Sequence, residues 1–413
     1  MRRHATPGTD IMTNPIKAAE GPVVRILDDI QALAAARALA ASFSKEASLR
    51  DRQRQLPLNE LEQFSRSGLW GISVPRAYGG AGVSFATLAE VIATIAAADG
   101  SLGQIPQNHF YAVEILRVNG SETQKRFYFE RILAGERFGN ALAELGTRTS
   151  QERRTRLSKE GDGFRINGRK FYATGALYAH RIPVSVIDDD GVQQLAIVKR
   201  DAAGVNVIDD WSGFGQRTTG SGSVVLDNVW VEAEEVLPFQ SAFERPTSLG
   251  PVAQLLHAAI DVGIARAALH DAAIFVRTRS RAWIDSKVER AIDDPLTVRE
   301  FGDLAVRLAG AEALLELAGE AVDRAAAAPD IDSVAAASIA VAEARVLTTE
   351  ISLAAGSKLF ELAGTQATLS EHNLDRHWRN ARTHTLHDPV RWKYHAVGNY
   401  YLNNKNPPRH GAI

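Results

Sequence analysis

The chain predicts an α+β fold, a β domain set between two helical regions, and three observations carry that reading. Apolar spacing is helical from about residue 26 to 136, turns strand-like between about 137 and 243, and is helical again from about 251. The third region is dominated by long apolar stretches. Its segment 334–362 is apolar or small on nearly every face, and such a helix must be buried on all sides, in a bundle core or between subunits. The expected divisions are a disordered tail at 1–24, an N-terminal α-helical domain at 25–136, a central β domain at 137–243 and a C-terminal helical bundle domain at 244–413.

Residues up to about Val24 are rich in Pro, Gly, Thr and Asn without apolar period, which predicts disorder. Amphipathic spacing then predicts helices over 30–39, over 57–64 with Pro57 near the first turn, and over 85–97 with Ser84 as N-cap. The sequence Glu160-Gly161-Asp162-Gly163 between two alternating runs is a hairpin signal. Alternating or β-branched runs at 182–187, 194–199 and 223–231 predict further strands. Beyond them, helices are expected at roughly 251–281, 296–328 and 332–363, with shorter ones to about 402.

Of 413 residues none is cysteine and only Met1 and Met12 are methionine, and Met12 is itself a candidate start. Methionine is the usual filler of irregular core gaps, so its absence asks for a reason. An enzyme that handles peroxide gains from lacking oxidisable sulfur, and a protein made when sulfur is scarce should contain little. Zero cysteines also excludes disulfides, a thiolate nucleophile and a Cys-ligated zinc. A formal charge of −2 implies neither a nucleic-acid nor an anionic-membrane partner. Arg153-Arg154-Thr155-Arg156 has no interleaved aromatics and reads as a solvated strand edge. The absence of a signal-peptide pattern or a bilayer-length apolar run predicts a cytoplasmic protein.

Four motifs in order resemble the acyl-CoA dehydrogenase superfamily over nearly the whole chain after residue 25. They are Val74-Pro75-Arg76-Ala77-Tyr78-Gly79-Gly80, Lys170-Phe171-Tyr172-Ala173-Thr174-Gly175, Gly213-Phe214-Gly215-Gln216-Arg217-Thr218 with Leu226-Asp227-Asn228-Val229-Trp230-Val231, and Trp378-Arg379-Asn380-Ala381-Arg382. Where many dehydrogenases of the superfamily carry a glutamate base before glycine, this chain has Asp388-Pro389, a shorter carboxylate on a restricted backbone. Thr383-His384-Thr385-Leu386-His387-Asp388-Pro389 instead resembles the flavin-dependent monooxygenase branch, which includes dibenzothiophene monooxygenases and sulfur-acquisition oxidoreductases. Ala97-Ala98-Asp99-Gly100-Ser101-Leu102-Gly103 and Arg281-Ala282-Trp283 are similar to that branch too.

The resemblance implies an N-terminal helical domain, a central β-barrel or sandwich and a C-terminal four-helix bundle. It further implies a two-component monooxygenase in which reduced FMN and O2 form a C4a-peroxyflavin that oxygenates a small organosulfur compound. The FMN would come from a separate flavin reductase, since no Gly-rich dinucleotide fingerprint is present. A similar place to the adenosine-holding helix end of FAD members, 359–364, lacks one glycine and favours FMN over FAD. His387 is the expected acid/base, because histidine exchanges protons near neutrality; the alternative is a structural histidine paired with Asp388. His109 resembles a substrate- and flavin-side histidine, against a solvated helix histidine. Thr174 resembles a hydroxyl that bonds the flavin ring, against a strand threonine. Asn140 and Tyr172 belong to segments similar to those that lie on the flavin. Trp211 reads equally as a wall of the site or a core residue, and Arg281 as the phosphate ligand.

Two other readings stand beside this one: an FAD-dependent acyl-CoA dehydrogenase with Asp388 as base, and a non-catalytic flavin-binding scaffold. A metal site is disfavoured. His372, His377, His384, His387, His395 and His410 contain neither an H-E-x-x-H motif nor an i, i+4 pair. A homotetramer is expected from the apolar 334–362 helix and the family likeness.

Overall fold

The computed structural model describes residues 21–149 and 152–413. The expected tail lies outside them up to residue 20, as do Met1 and Met12. Helices α1 (Asp29–Phe43), α2 (Ala47–Gln53), α3 (Leu58–Arg66), α4 (Phe85–Ala98), α5 (Gly100–Asn119) and α6 (Glu122–Leu133) form the first region. Ser84 caps α4 by accepting from the Thr87 N–H, as its sequence predicts. Asp99 ends α4 and caps α5 with bonds to Ser101 and Leu102, while its other oxygen takes the buried Arg50 guanidinium at 3.0 Å.

Strands β1 (Arg156–Glu160), β2 (Gly163–Lys170), β3 (Arg181–Ile187), β4 (Gln193–Lys199), β5 (Val205–Ile208), β6 (Ser223–Glu232) and β7 (Val236–Pro238) form one sheet in the order β5-β6-β2-β1-β3-β4-β7. The β1–β2 turn is the expected hairpin, with Glu160 opposite Gly163 and Gly161 at φ +56°. Strands β5 and β7 are short edge strands without a clear alternating signal, and β7 ends at Pro238 where the ladder needs no donor.

The chain then returns to helix: α7 (Ser241–Glu244), α8 (Leu249–Thr278), α9 (Pro295–Ala327), α10 (Ile331–Ala363), α11 (Asp375–His384) and α12 (Arg391–Asn403). Helices α8, α9 and α10 pack together, α4 lies against α8 and α9, and α11 and α12 lie on α10. Alanine and glycine let these axes close: a Cβ on Gly263 of α8 would stand 2.4 Å from the Ala93 carbonyl oxygen of α4. The α8 sequence is long and apolar, and 89% of its apolar window is buried in the protein. Helix α10 is buried within the chain itself, which accounts for its apolar faces without a second subunit. Large apolar side chains are exposed instead on α9 (Leu296, Val306, Leu317) and α12 (Trp392, Tyr401, Leu402).

After α12 the chain folds back across the bundle. Gln254 donates to the Gly411 carbonyl at 2.8 Å, the Lys393 ammonium donates to that of Ala412, and Ile413 packs with Ile339 and Ala396.

Candidate active site

Two polar clusters share one face of α11, because Asn380 and His384 lie four residues apart. The first is built by the β domain. Bridges from Phe138 and Ala141 to β3 lay the segment holding Asn140 beside the sheet. Asn140 accepts from the Leu142 N–H at 3.0 Å and donates to the Tyr172 carbonyl at 3.3 Å. Beyond the end of β2 the backbone turns sharply, Tyr172 takes φ +56°, and its ring stays half exposed against Phe171 and Trp211. Thr174 is therefore a turn residue rather than a strand threonine, and its buried hydroxyl meets Ser221 at 2.7 Å. Ser221 continues to Thr219 at 2.6 Å, and Thr219 donates to the Gln216 carbonyl, which also accepts from the Trp211 indole at 2.8 Å.

The Gln216 N–H is bound by Asn380 at 2.7 Å, which docks this loop on α11. The fit requires glycine next door, since a Cβ on Gly215 would lie 1.9 Å from the Arg379 carbonyl oxygen. Gln216 holds φ +52°, and both polar atoms of its buried carboxamide lack partners among the described residues, as does the hydroxyl of Thr383. Unpaired buried polar atoms are costly, so this cluster has unmet capacity for a ligand that both donates and accepts.

The second cluster surrounds His387. Its ring is half exposed, with Nδ1 3.4 Å from Asp388 Oδ1 and its face 4.0 Å, centroid to centroid, from His257 of α8. Asp388 is buried between Arg345 at 3.2 Å and Lys393 at 3.1 Å. Burial works to raise it, but the His387 hydrogen bond and the charges of Arg345, His387 and Lys393 outweigh that and hold it far below the usual carboxylate range. It is an ion-paired carboxylate held between two cations. Behind it, Arg345 also pairs with Asp261 at 2.5 Å, and Asp261 accepts from His384 Nδ1 at 2.6 Å. His384 Nε2 meets His257 Nδ1 at 3.0 Å.

His109 takes neither of its expected places. It is fully buried, Nδ1 accepts from the Phe138 N–H at 3.0 Å, and Nε2–H donates to the Trp70 carbonyl at 2.9 Å. Burial, with Arg137 and His180 adding repulsion against the opposing Trp70 bond, lowers its pKa to about 3. It is a neutral cross-link between α5 and the start of the β domain, away from solvent. Arg281 is exposed beyond the end of α8, roughly 25 Å along the helix axis from Asp261. No hydrogen bond or ion pair among the described residues joins it to either cluster.

The structure places Asn140, Tyr172, Thr174 and Trp211 in one region of the β domain, and sequence reasoning passed over Gln216, Thr219, Ser221, His257, Asp261, His384, Arg345 and Lys393. A signal for several was present: His257 and Asp261 are four apart in a mostly apolar stretch of α8, and Arg345 is a cation set in a mostly apolar stretch of α10. A buried charge demands a partner.

Models of the acyl-CoA dehydrogenase N-terminal and C-terminal domains match residues 28–136 and 255–392. Dibenzothiophene monooxygenase of Rhodococcus qingshengii is 35% identical over 396 residues, 92% of this chain and 95% of that protein. The probable FMNH2-dependent monooxygenase SfnC of Pseudomonas putida is 32% identical, over 91% of this chain and 96% of that one. Among solved structures, FMN-bound TdsC of Paenibacillus sp. A11-2 superposes with a TM-score of 0.89 at 32% identity, covering 93% of this chain and 100% of that one.

Proposed function

This chain belongs to the acyl-CoA dehydrogenase family, and on that premise we propose that it is a flavin-dependent monooxygenase that uses reduced FMN and O2 to oxygenate a small organosulfur compound. The observation that carries the reading is the pair of clusters on α11: an unsatisfied polar loop beside aromatic walls, and a half-exposed histidine backed by fixed charge.

The residues present fit FMN. Asn140, the Tyr172 ring, Thr174 and Trp211 would hold the flavin ring, and the unpaired carboxamide of Gln216 supplies the donor and acceptor that such a ring requires. When bound, reduced FMN supplies the electrons that activate oxygen. Asp388 fixes the proton of His387 on Nδ1, which leaves Nε2 to hold or release a proton at the reacting centre. Tyr172 and Trp211 restrict water at the mouth of the site. A thioester dehydrogenase needs a carboxylate that accepts a proton, and the twofold ion pairing of Asp388 disfavours it as that base.

Reduced FMN arrives from a separate reductase, and the protein works in the cytoplasm. The exposed apolar side chains of α9 and α12 form contacts between copies in a homotetramer, in which the unpaired Arg281 takes the FMN phosphate.

The test mixes protein carrying photoreduced FMN with oxygen and dibenzothiophene, a probe substrate, and measures the sulfoxide formed. Wild type is expected to yield product, and His387→Gln to consume oxygen while releasing hydrogen peroxide. A purified protein that is reduced by an acyl-CoA and makes no sulfoxide overturns the reading.

A further inference from the structure

Asp261, His384 and His257 form an unbroken hydrogen-bonded chain through the bundle interior, with links of 2.6 and 3.0 Å, and the ring of His257 ends it against the ring of His387. We propose that this chain is a proton relay serving His387, with His257 as the group that exchanges a proton with it and His384 and Asp261 as positioning residues that store the charge. Its purpose rests on the monooxygenase reading; its existence does not.

The polarity follows from the partners. Asp261 accepts from His384 Nδ1–H, from Arg345 and, at 3.3 Å, from Thr349. Burial works to raise its pKa, but the charges of and bonds from His384 and Arg345 prevail and keep it ionised. When His384 carries a single proton, on Nδ1, it offers the lone pair of Nε2 to the Nδ1–H of His257. The free lone pair of the chain then stands on His257 Nε2, which has no hydrogen-bond partner among the described residues.

When the half-exposed ring of protonated His387 turns an N–H toward His257, that N–H bond breaks and an N–H bond forms at His257 Nε2. The Nδ1–H bond of His257 breaks, and that proton forms an N–H bond at His384 Nε2. The positive charge then rests on His384, against the Asp261 carboxylate, and the reverse sequence returns the proton. No electron moves, and one proton enters for each one stored.

The charges around the chain make storage transient. His257 faces His387 and Asp388 from the turn after α11, His384 from α11 and Arg345 from α10, and Lys393 of α12 pairs with Asp388. Asp261 and Asp388 offset the charges of Arg345 and Lys393. Burial, with repulsion from His387, His384 and Arg345, lowers the pKa of His257 well below the ordinary value and keeps it neutral at rest.

Two measurements test the proposal. The first is nitrogen NMR of histidine-labelled protein without FMN. It is expected to show His257 as the Nδ1–H tautomer, and a far-downfield proton on His384 Nδ1 that moves upfield in Asp261→Asn. His257 found as the Nε2–H tautomer, with His384 charged throughout the working pH range, overturns the relay.

The second compares pH profiles of dibenzothiophene oxygenation at saturating photoreduced FMN. His384→Gln and Asp261→Asn are expected to lower kcat by about 100-fold, displace the acid limb and leave KM unchanged. Thr349→Val removes a bond to the same carboxylate outside the relay and is expected to keep the wild-type profile. Variants that lose thermal stability yet retain the wild-type profile refute the proposal. A wild type that makes no sulfoxide ends the functional reading and leaves the tautomer measurement to decide the relay.

Discussion

Replacing His109 with glutamine should change how stability depends on pH far more than it changes catalysis. The unfolded chain binds a proton on this histidine as the pH falls through about 6.5, whereas folded His109 resists until about 3. Protonation would turn Nδ1 into a donor facing the Phe138 N–H and break that 3.0 Å bond. The unfolded state therefore gains protons first. The contribution is whole above the unfolded pKa and is lost progressively as the pH falls toward 3. Between about pH 7.5 and 5.0 the loss amounts to about 2 kcal/mol, from roughly 1.4 kcal/mol for each pH unit below the unfolded pKa.

His109→Gln also removes a ring packed 4.7 Å from Trp70 and 5.6 Å from Phe138, at a cost of about 2–3 kcal/mol at neutral pH. Urea unfolding at the two pH values, followed by tryptophan fluorescence and circular dichroism, gives four midpoints. The gap between wild type and variant should narrow by about 2 kcal/mol in acid. Parallel pH dependences would refute the reasoning, because they require His109 to titrate alike folded and unfolded.

Two further outcomes rest on other polar contacts. Lys170 and Glu144 pair at 2.7 Å with almost no exposure, and burial lowers the lysine to about 8 against the pull of Glu144. Lys170→Met removes the cation paired with this carboxylate, which keeps its bonds from Arg154 and Thr155, and should cost about 3 kcal/mol in urea unfolding, more than an exposed pair could. Thr174→Val breaks the hydroxyl chain to Ser221 and should weaken FMN binding about fivefold, read from quenching of FMN fluorescence, as expected for about 1 kcal/mol.

The long helices were legible because burial imposes a period. Helices expected at 296–328 and 332–363 run Pro295–Ala327 and Ile331–Ala363. The edge strands Val205–Ile208 and Val236–Pro238 were not, since three or four residues carry no measurable alternation. At the site, motif likeness found the residues that line up along the chain, Asn140, Tyr172 and Thr174. It gave no access to Gln216, whose importance lies in a left-handed backbone and an unpaired carboxamide. The surroundings of His109 and Asp388 were hidden for a common reason: a residue type names the chemistry available, and only its neighbours decide whether a proton can leave or arrive. Burial between two backbone groups silences the first, and two cations silence the second.

The interior described here is built without methionine, from alanine and glycine contacts as close as that of Gly263 with Ala93. Thioether side chains let a core change shape around guests of different size, and this bundle has none to deform. Breadth of substrate acceptance must then reside in the parts that can swing, the half-exposed rings of Tyr172 and Phe214 and the exposed Leu386. Selection for a new substrate would accordingly accumulate changes on those rims, and leave the helices behind them untouched.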